Sequence, residues 1–171
     1  MDVGKAILKR RSVRSYSDKT LSKEKIEEIM NAVRFAPSAS NKQDWKFVIA
    51  TDEEVKESLY EAAMHQRQVK EAPCVIAGVS LDPKDEMKCR VPTGVVDLTI
   101  ALDHLTLKAA EEDIGTCWIG AFDQDAAKKA LRIPDEYKII SLMTMGYPKD
   151  PLKRENKNRK DIKAILTYNE F

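Results

Sequence analysis

The sequence predicts a single α+β domain in which helices and strands pack in layers. Segments with helical and strand-like patterns alternate along the chain, but they do not form strict strand–helix pairs, and strand-like segments are few. The length of 171 residues is close to the usual size of one domain. Hydrophobic residues make up 43% of the chain and charged residues 33%, which is typical of a soluble globular protein.

Two helices are predicted before residue 35. The apolar spacing from Val3 to Leu8 predicts an amphipathic helix that ends near Lys9. Ser22 has a side chain suited to cap the N-terminus of a second helix. One face of this second helix is apolar and consists of Ile26, Ile29, Met30 and Val33.

Four segments are predicted to be strands because they are short and rich in apolar and β-branched residues. They are residues 46–50, 74–79, 117–119 and 138–145. The second of these is apolar enough to be buried on both faces of a sheet. Between the first two, Thr51-Asp52-Glu53-Glu54 matches a capping box, which predicts a helix through Val55 and Leu59.

The longest predicted helix covers residues 93–113, and apolar side chains surround it on nearly every side. A helix of this kind lies in a core or in an interface between subunits. Gly115 is the expected stop signal after it. Asp123 is predicted to cap a further helix, which ends before Pro134.

Charge and composition argue against several classes of function. The formal net charge is +1 and aromatic residues make up 6%, which does not favour a nucleic-acid-binding module. No apolar run approaches the roughly 18 residues needed to span a bilayer, and the first residues lack a signal-peptide pattern. Cys74, Cys89 and Cys117 are interpreted as small core side chains in a reducing cytoplasm. His65 and His104 are far apart and no Cys-x-x-Cys occurs, so no metal site is expected.

Two basic clusters lie near opposite ends of the chain. The first contains Lys9, Arg10, Arg11 and Arg14, and the second contains Lys153, Arg154, Lys157, Arg159 and Lys160. If the two ends meet, they form a pocket for an anion such as phosphate, because a planar guanidinium donates paired hydrogen bonds. Ser12 adds a hydroxyl donor to the first cluster. The alternative is two solvated charged surfaces, which is the commoner fate of such runs.

Two further segments are candidates for a binding site. Residues 37–43 (Pro-Ser-Ala-Ser-Asn-Lys-Gln) offer small hydroxyl and amide groups that suit the edge of a heteroaromatic ring. The alternative is an ordinary helix-to-strand loop, since these are common loop residues. In residues 118–121 (Trp-Ile-Gly-Ala), a glycine at a strand end often marks close approach of a ligand to the backbone. The alternative there is a simple turn.

Read together, five motifs resemble those of the nitroreductase family, in the family's order and spacing over nearly the whole chain. They are Arg10-Arg11-Ser12-x-Arg14, Ala36-Pro37-Ser38-x-x-Asn41-x-Gln43-x-Trp45, Glu71-Ala72-Pro73, the run from Gly115 to Phe122, and Met145-Gly146-Tyr147-Pro148 followed by a basic stretch. Two features depart from the pattern. Asp44 stands where the family usually has proline, and residues 80–91 are shorter than the helical excursion of longer members.

The resemblance implies a three-layer α+β fold with a central, mainly antiparallel sheet flanked by helices, and a homodimer with FMN at the interface. It assigns Arg10, Ser12 and Arg14 to the phosphate and ribityl end of FMN, joined by Lys157 and Arg159, and leaves the direction of Arg11 open. Carried over by position, the residues that reach the flavin from the second subunit are Pro37, Ser38, Ala39, Ser40, Asn41 and Gln43.

The resemblance also implies groups near the flavin ring and a reaction. Ile119 and Gly120 are expected to place backbone groups near the flavin N5, and Gln68 is preferred over His65 as the site residue before Glu71. The implied activity is a ping-pong transfer of hydride from NAD(P)H through the flavin to nitroaromatic, quinone or similar acceptors. The flavin carries this chemistry, so no catalytic side chain is required. The alternatives are a flavin carrier or sensor with little turnover, suggested by the short 80–91 segment, and a nucleic-acid-binding module.

Overall fold

A computed structural model describes residues 2–152 and 158–171. Its helices, in chain order, are α1 (Val3–Lys9), α2 (Lys23–Val33), α3 (Glu53–Ala62), α4 (Arg67–Glu71), α5 (Thr93–Glu111) and α6 (Gln124–Leu131). Its strands are β1 (Trp45–Ala50), β2 (Cys74–Ser80), β3 (Gly115–Ile119) and β4 (Lys138–Gly146). Short 3₁₀ turns cover Ala39–Asn41 and Ile162–Ala164. The order of elements confirms the predicted α+β class.

The strands form one antiparallel sheet in the order β1-β2-β4-β3. β1 and β3 are therefore its two outer strands. The register pairs Trp45 with Ser80 across β1 and β2, and Gly115 with Gly146 across β3 and β4. Along the free side of β3, Ser12 forms a parallel bridge with Thr116, which brings the N-terminal segment onto this edge.

Helices cover both faces of the sheet, as the composition of β2 predicts. Cys74 and Ile76 pack into a cluster with α2 and α5, whereas Val75, Ala77 and Val79 pack against α3, α4 and α6. Every residue of β2 is buried. This alternation is the period of two expected for a strand, and it gives the predicted three layers of helix, sheet and helix.

Caps at the helix starts agree with the sequence in two of three cases. Ser22 accepts the N–H of Lys25 at the start of α2, and Asp123 accepts that of Ala126 at the start of α6. The predicted capping box at α3 is wrong, because Asp52 rather than Thr51 is the cap residue. The Asp52 carboxylate accepts two backbone N–H groups, at 3.0 and 3.2 Å. A carboxylate there also interacts favourably with the helix dipole, which explains why it displaces the hydroxyl.

The end of α5 differs from the prediction. The helix ends at Glu111 and Asp113 adopts the left-handed conformation with φ of 58°, so Gly115 is not the stop signal. Gly115 instead begins β3, two residues earlier than predicted. A Cβ at Gly115 would lie 2.4 Å from a methyl group of Val13. The glycine is thus required by packing of the N-terminal segment on β3.

Burial corrects the expectation for Cys89, and for α5 it agrees with both predicted alternatives, a core and an interface. Leu98, Leu102 and Leu105 of α5 are fully buried, but Val95 is 42% exposed, so α5 is not enclosed on all sides within one chain. Cys74 and Cys117 are buried as predicted, whereas Cys89 is exposed because it lies in the polar 80–91 segment. Among the described residues, no helix combines the length and the apolar character required to cross a membrane.

Candidate functional site

The N-terminal basic segment lies along the outer edge of β3. The Val13 N–H donates to the Thr116 carbonyl oxygen at 2.9 Å, beside the bridge made by Ser12. Ser12 and Arg14 are exposed, and Arg10 is partly exposed. Burial raises the pKa of the nearby Cys117 thiol, and the positive charge of Arg14 opposes that rise. The segment therefore presents cationic and hydroxyl groups next to the first half of β3.

The Arg11 guanidinium is directed towards the C-terminal end of α1. Its guanidinium donates to the carbonyl oxygens of Leu8 at 2.7 Å and Arg10 at 3.0 Å. These carbonyls belong to the C-terminal end of α1, where unpaired acceptors and the helix dipole favour a cation. In this conformation Arg11 caps α1, and its assignment to a phosphate stays a prediction.

The C-terminal part of the chain runs beside the N-terminal segment. The Lys149 N–H donates to the Ser15 carbonyl oxygen at 3.1 Å, and Leu152 packs against Val13 and Tyr16. Lys157 lies outside the described residues. Arg159 is exposed, and its guanidinium donates to the carbonyl oxygen of Asn158 at 2.9 Å. The two ends of the chain thus come together as far as Leu152, and the part of the predicted pocket formed by Lys157 and Arg159 stays a prediction.

Two of the five motifs, Glu71-Ala72-Pro73 and Met145-Gly146-Tyr147-Pro148, contact each other. They do so at the end of the sheet where β3 begins and β4 ends. A Cβ at Gly146 would lie 2.5 Å from the ring of Pro73. Glu71 accepts the N–H of Tyr16 at 3.3 Å, and the Tyr16 hydroxyl is 2.7 Å from that of Thr144. At this point the motifs pack against each other. Their contacts with Tyr16 help to hold the basic segment against β3.

The loop of residues 38–43, called the 38–43 loop below, has an unusual backbone. Ser40, Asn41 and Gln43 have φ values of 52°, 54° and 55°, in the left-handed region that non-glycine residues rarely adopt. The Ser38 hydroxyl oxygen closes the loop by accepting the N–H of Gln43 at 3.0 Å. From Ser40 to Gln43 all side chains are exposed. The loop is therefore a constrained structure that presents hydroxyl and amide groups to its surroundings.

Two carboxylates outside the loop hold it, and neither was a predicted site residue. Asp97 of α5 accepts the N–H of Ala39 at 3.1 and 3.2 Å. Asp85 pairs with the ammonium of Lys42 at 2.9 Å, and this hydrogen bond lowers the pKa of Asp85. The short 80–91 segment, noted above as a departure from the family pattern, thus supports the 38–43 loop. A lone aspartate between Val96 and Leu98 on an apolar helix was the signal that sequence reasoning could have used.

The segment before α4 is joined to the end of β3 through Gln66. The side-chain amide of Gln66 donates to the Ala121 carbonyl oxygen at 2.7 Å and accepts from Gln68 at 3.1 Å. Sequence reasoning missed Gln66, although it selected Gln68. His65 pairs with Glu61 at 2.9 Å and stacks edge-on against Tyr60, so it is directed towards α3. The structure therefore connects Gln68, and not His65, to the predicted strand-end site.

Gly120 follows β3 and has open space above it. Among the described residues, its two chain neighbours aside, no atom lies within 4 Å of the position that a Cβ would occupy there, and its φ is not positive. In the part of the chain that the structure describes, neither packing nor backbone conformation requires a glycine at this position. A simple turn thus gives no reason for the glycine, and approach of a ligand to the backbone stays a prediction.

The sheet topology shows which of the predicted binding segments lie on the same edge within one chain. Gly120 lies four residues beyond Thr116, about 13 Å along the strand at the usual rise per residue. The basic segment and the open strand end thus lie on one edge of the sheet. The 38–43 loop precedes β1, the opposite outer strand, three strand spacings or about 14 Å away. Within one chain the loop thus lies at the opposite outer strand and not on the β3 edge.

The fold and this edge define a class of protein: a three-layer α+β domain whose outer strand carries a cationic segment at one end and an open glycine at the other. Comparison with known proteins gives the family. The sequence model of the nitroreductase family matches residues 7–96 and 65–147. The chain belongs to the nitroreductase family and is an oxidoreductase.

Individual relatives agree with this assignment. A protein of Archaeoglobus fulgidus, provisionally named NADH dehydrogenase/NAD(P)H nitroreductase, is 37% identical over 150 residues, which cover 85% of each chain. The crystal structure of a nitroreductase family protein from Clostridium difficile 630 matches with a TM-score of 0.89 at 26% identity, over 100% of both chains. An FMN-dependent nitroreductase from Clostridium difficile R20291 matches with a TM-score of 0.82 at 26% identity, over 97% of this chain and 98% of that one.

Proposed function

We propose that this protein binds FMN along the β3 edge and acts in the cytoplasm as an NAD(P)H oxidoreductase. The acceptors are nitroaromatics, quinones or similar electron-poor compounds, reduced in a ping-pong reaction. The observation that carries this proposal is the arrangement of Ser12 and Arg14 beside Thr116, with the open Gly120 about 13 Å further along the same strand. The relatives named for NAD(P)H and for FMN support the same cofactors.

The residues of the edge fit the phosphate end of FMN. Arg10, Ser12 and Arg14 would hold the phosphate, because guanidinium and hydroxyl donors match its oxygens. Lys157 and Arg159 would join them from the C-terminal segment, which runs beside the N-terminal one as far as Leu152. The FMN phosphate is doubly charged and loses hydrating water when it is bound. Several cations around it are needed to compensate for that loss of hydration free energy.

The other end of the edge fits the flavin ring. The missing side chain at Gly120 lets a flat ring approach the backbone of Ile119 and Gly120. Gln68, held through Gln66 to the strand end, would offer its side-chain amide to the edge of the ring. Bound FMN supplies the hydride-transfer chemistry, and the protein supplies orientation and charge. Because the flavin would carry the chemistry, the reaction proposed requires no protein nucleophile at this strand end.

The proposed active unit is a homodimer with FMN at the interface. The 38–43 loop does not join the β3 edge of its own chain, so it would contribute to the site of a second subunit. Apolar side chains that one chain leaves exposed agree with such an interface. They include Val3, Ile7, Leu8 and Val95, and, near the C-terminus, Ile162, Ile165, Leu166, Tyr168 and Phe171. Burying this surface would give a gross hydrophobic gain of about 25 cal/mol per Å², from which the entropy lost on association is subtracted.

The experiment that tests this function is purification followed by identification of the bound flavin. The protein is expected to be yellow and to release FMN on denaturation. It is then expected to oxidise NADH or NADPH when a quinone or nitroaromatic compound is added. A colourless protein that FMN cannot reconstitute would contradict the proposal. Yellow protein whose flavin NAD(P)H does not reduce in stopped flow would instead support a flavin carrier or sensor.

A further inference from the structure

We propose that Asp97 is a positioning residue that holds the 38–43 loop in the conformation in which it contacts the flavin of the second subunit. The inference rests on the proposed function and adds a residue to it that lies outside the five motifs. The observation behind it is the contact between a buried carboxylate on α5 and the backbone of a strained loop. The Asp97 oxygens lie 3.1 and 3.2 Å from the Ala39 nitrogen.

The surroundings of Asp97 make a carboxylate costly there. Asp97 is only 6% exposed and lies on a helix whose neighbouring face is built from Leu98, Ala101 and Leu102. A buried charge is tolerated only where it is paired or hydrogen-bonded. Among residues 2–152 and 158–171, the donor recorded for Asp97 is the Ala39 N–H. An apolar residue would serve the packing of α5 better, so the contact with the loop accounts for the aspartate.

The loop needs an anchor of this kind. Three of its residues have positive φ, and such conformations persist only where the surrounding structure holds them. The bond from Gln43 to Ser38 closes the loop on itself but does not fix it relative to the sheet. The pair of Lys42 and Asp85 does link it to the 80–91 segment, but Lys42 is exposed and such pairs are weakened by solvent and salt. Within the described part of the chain, Asp97 is therefore the buried side chain that hydrogen-bonds to the loop from outside it.

A fixed loop has a direct consequence for binding. The exposed side chains of Ser40, Asn41 and Gln43 are held in place before FMN arrives. Preorganised groups bind with less loss of conformational entropy than groups that must be ordered on binding. Removal of the Asp97 anchor should thus weaken FMN binding and change the environment of the flavin while each subunit keeps its fold.

The test compares Asp97→Asn and Asp97→Ala with wild type in the full-length protein. Dissociation constants for FMN are measured by titration of the apoprotein, and visible circular dichroism reports the surroundings of the bound flavin. Asp97→Ala is expected to raise the dissociation constant about tenfold, because it leaves the Ala39 N–H without its partner. Asp97→Asn keeps one acceptor oxygen and is expected to lie between Asp97→Ala and wild type. Its visible dichroism should remain closer to wild type.

A matched control lies on the same helix. Asp103 is exposed and accepts from Thr106, so Asp103→Asn removes a charge from α5 without contact with the loop. It is expected to leave FMN affinity and visible dichroism unchanged. Ser38→Ala combined with Asp97→Ala should give less than the sum of the two single effects on binding free energy, since both residues hold one loop.

The outcomes separate this inference from the proposed function. If wild-type apoprotein does not bind FMN, both are overturned. If wild type binds FMN, and Asp97→Ala has wild-type affinity and visible dichroism, the role of Asp97 is overturned and the proposed function remains. Should Asp97→Ala fail to fold, Asp97→Asn decides: an unchanged dissociation constant and unchanged dichroism count against the positioning role.

Discussion

The side-chain amide of Gln66 donates a hydrogen bond of 2.7 Å to the carbonyl oxygen of Ala121, and its oxygen accepts one from Gln68. A second donation, to the Ala63 carbonyl at 3.0 Å, fixes Gln66 to the end of α3. One side chain thus joins the α3–α4 connection to the end of β3, which lies 55 residues further along the chain. It connects the candidate ring-contacting residue Gln68 to the open strand end at Gly120.

Gln66→Glu tests this connection with little change of shape. The carboxylate keeps an acceptor for Gln68 but cannot donate to the two carbonyl oxygens, which it would instead repel. We expect FMN affinity to fall by about fivefold or more, as for loss of about 1 kcal/mol of hydrogen-bond free energy. Titration of the apoprotein with FMN measures the effect. Wild-type affinity in Gln66→Glu would show that the connection does not position the site.

A pair of glycine substitutions distinguishes ligand approach from packing. Gly120→Ala places a methyl group in open space, so we expect unfolding free energy to change by less than about 0.5 kcal/mol. FMN binding should nevertheless be lost or greatly weakened, because the methyl group occupies the space assigned to the ring. Gly115→Ala is the control: it clashes with Val13 and should destabilise the fold by about 1–3 kcal/mol. Urea unfolding and FMN titration measure the two effects. Unimpaired FMN binding by Gly120→Ala would contradict the location of the ring.

The assignment of the N-terminal cations to phosphate predicts a difference between two flavins. Arg14→Ala should weaken FMN binding by about 1.5–3 kcal/mol, the value of a hydrogen bond to a charged group. Binding of riboflavin, which lacks the phosphate, should change little. Arg11→Ala is the matched comparison, since Arg11 caps α1 in the structure. It should lower helix stability without changing the preference for FMN over riboflavin. Equal losses for the two flavins in Arg14→Ala would place the phosphate elsewhere.

Burial of Cys74 predicts a loss of stability in alkali. Burial raises the pKa of this thiol from 9.0 to about 12, against the opposing charge of Lys56. Above pH 9 the unfolded thiol ionises while the folded one stays protonated, so unfolding free energy should fall until the pH passes about 12. The pH slope, measured by urea unfolding, should be shallower in Cys74→Ala. Cys89→Ala, which removes an exposed cysteine, should keep the wild-type slope. If the pH slope of Cys74→Ala equals that of wild type, the Cys74 thiol does not cause the loss of stability in alkali.

Local patterns predicted the elements well, because each depends on neighbours in the sequence. Ser22 and Asp123 were recognisable as caps, and the apolar run of β2 indicated a strand buried on both faces. The role of Gly115 was not recognisable, because the contact that requires a glycine comes from Val13, about a hundred residues earlier. Thr51 was chosen over Asp52 because the capping-box pattern does not weigh the stronger acceptor beside it.

Those candidate site residues that belong to local sequence motifs were predictable, and those that act through distant contacts were not. The motifs pointed to Ser12, Gly120 and Gln68, which do lie on or next to the β3 edge. Gln66 and Asp97 were missed, because their role is a hydrogen bond to the backbone of a distant segment and carries no local signature. Whether Arg11 faces a phosphate or a helix end depends on its rotamer, which sequence does not specify.

We propose above all that this chain binds FMN and reduces it with NAD(P)H. The most direct measurement is the visible spectrum of the purified protein, recorded without oxygen before and after addition of NADH or NADPH. We expect the absorption bands of oxidised flavin in the first spectrum, their rapid loss when the nicotinamide is added, and their return when a quinone is supplied. A spectrum without flavin bands, in protein that has been incubated with FMN, would contradict the claim.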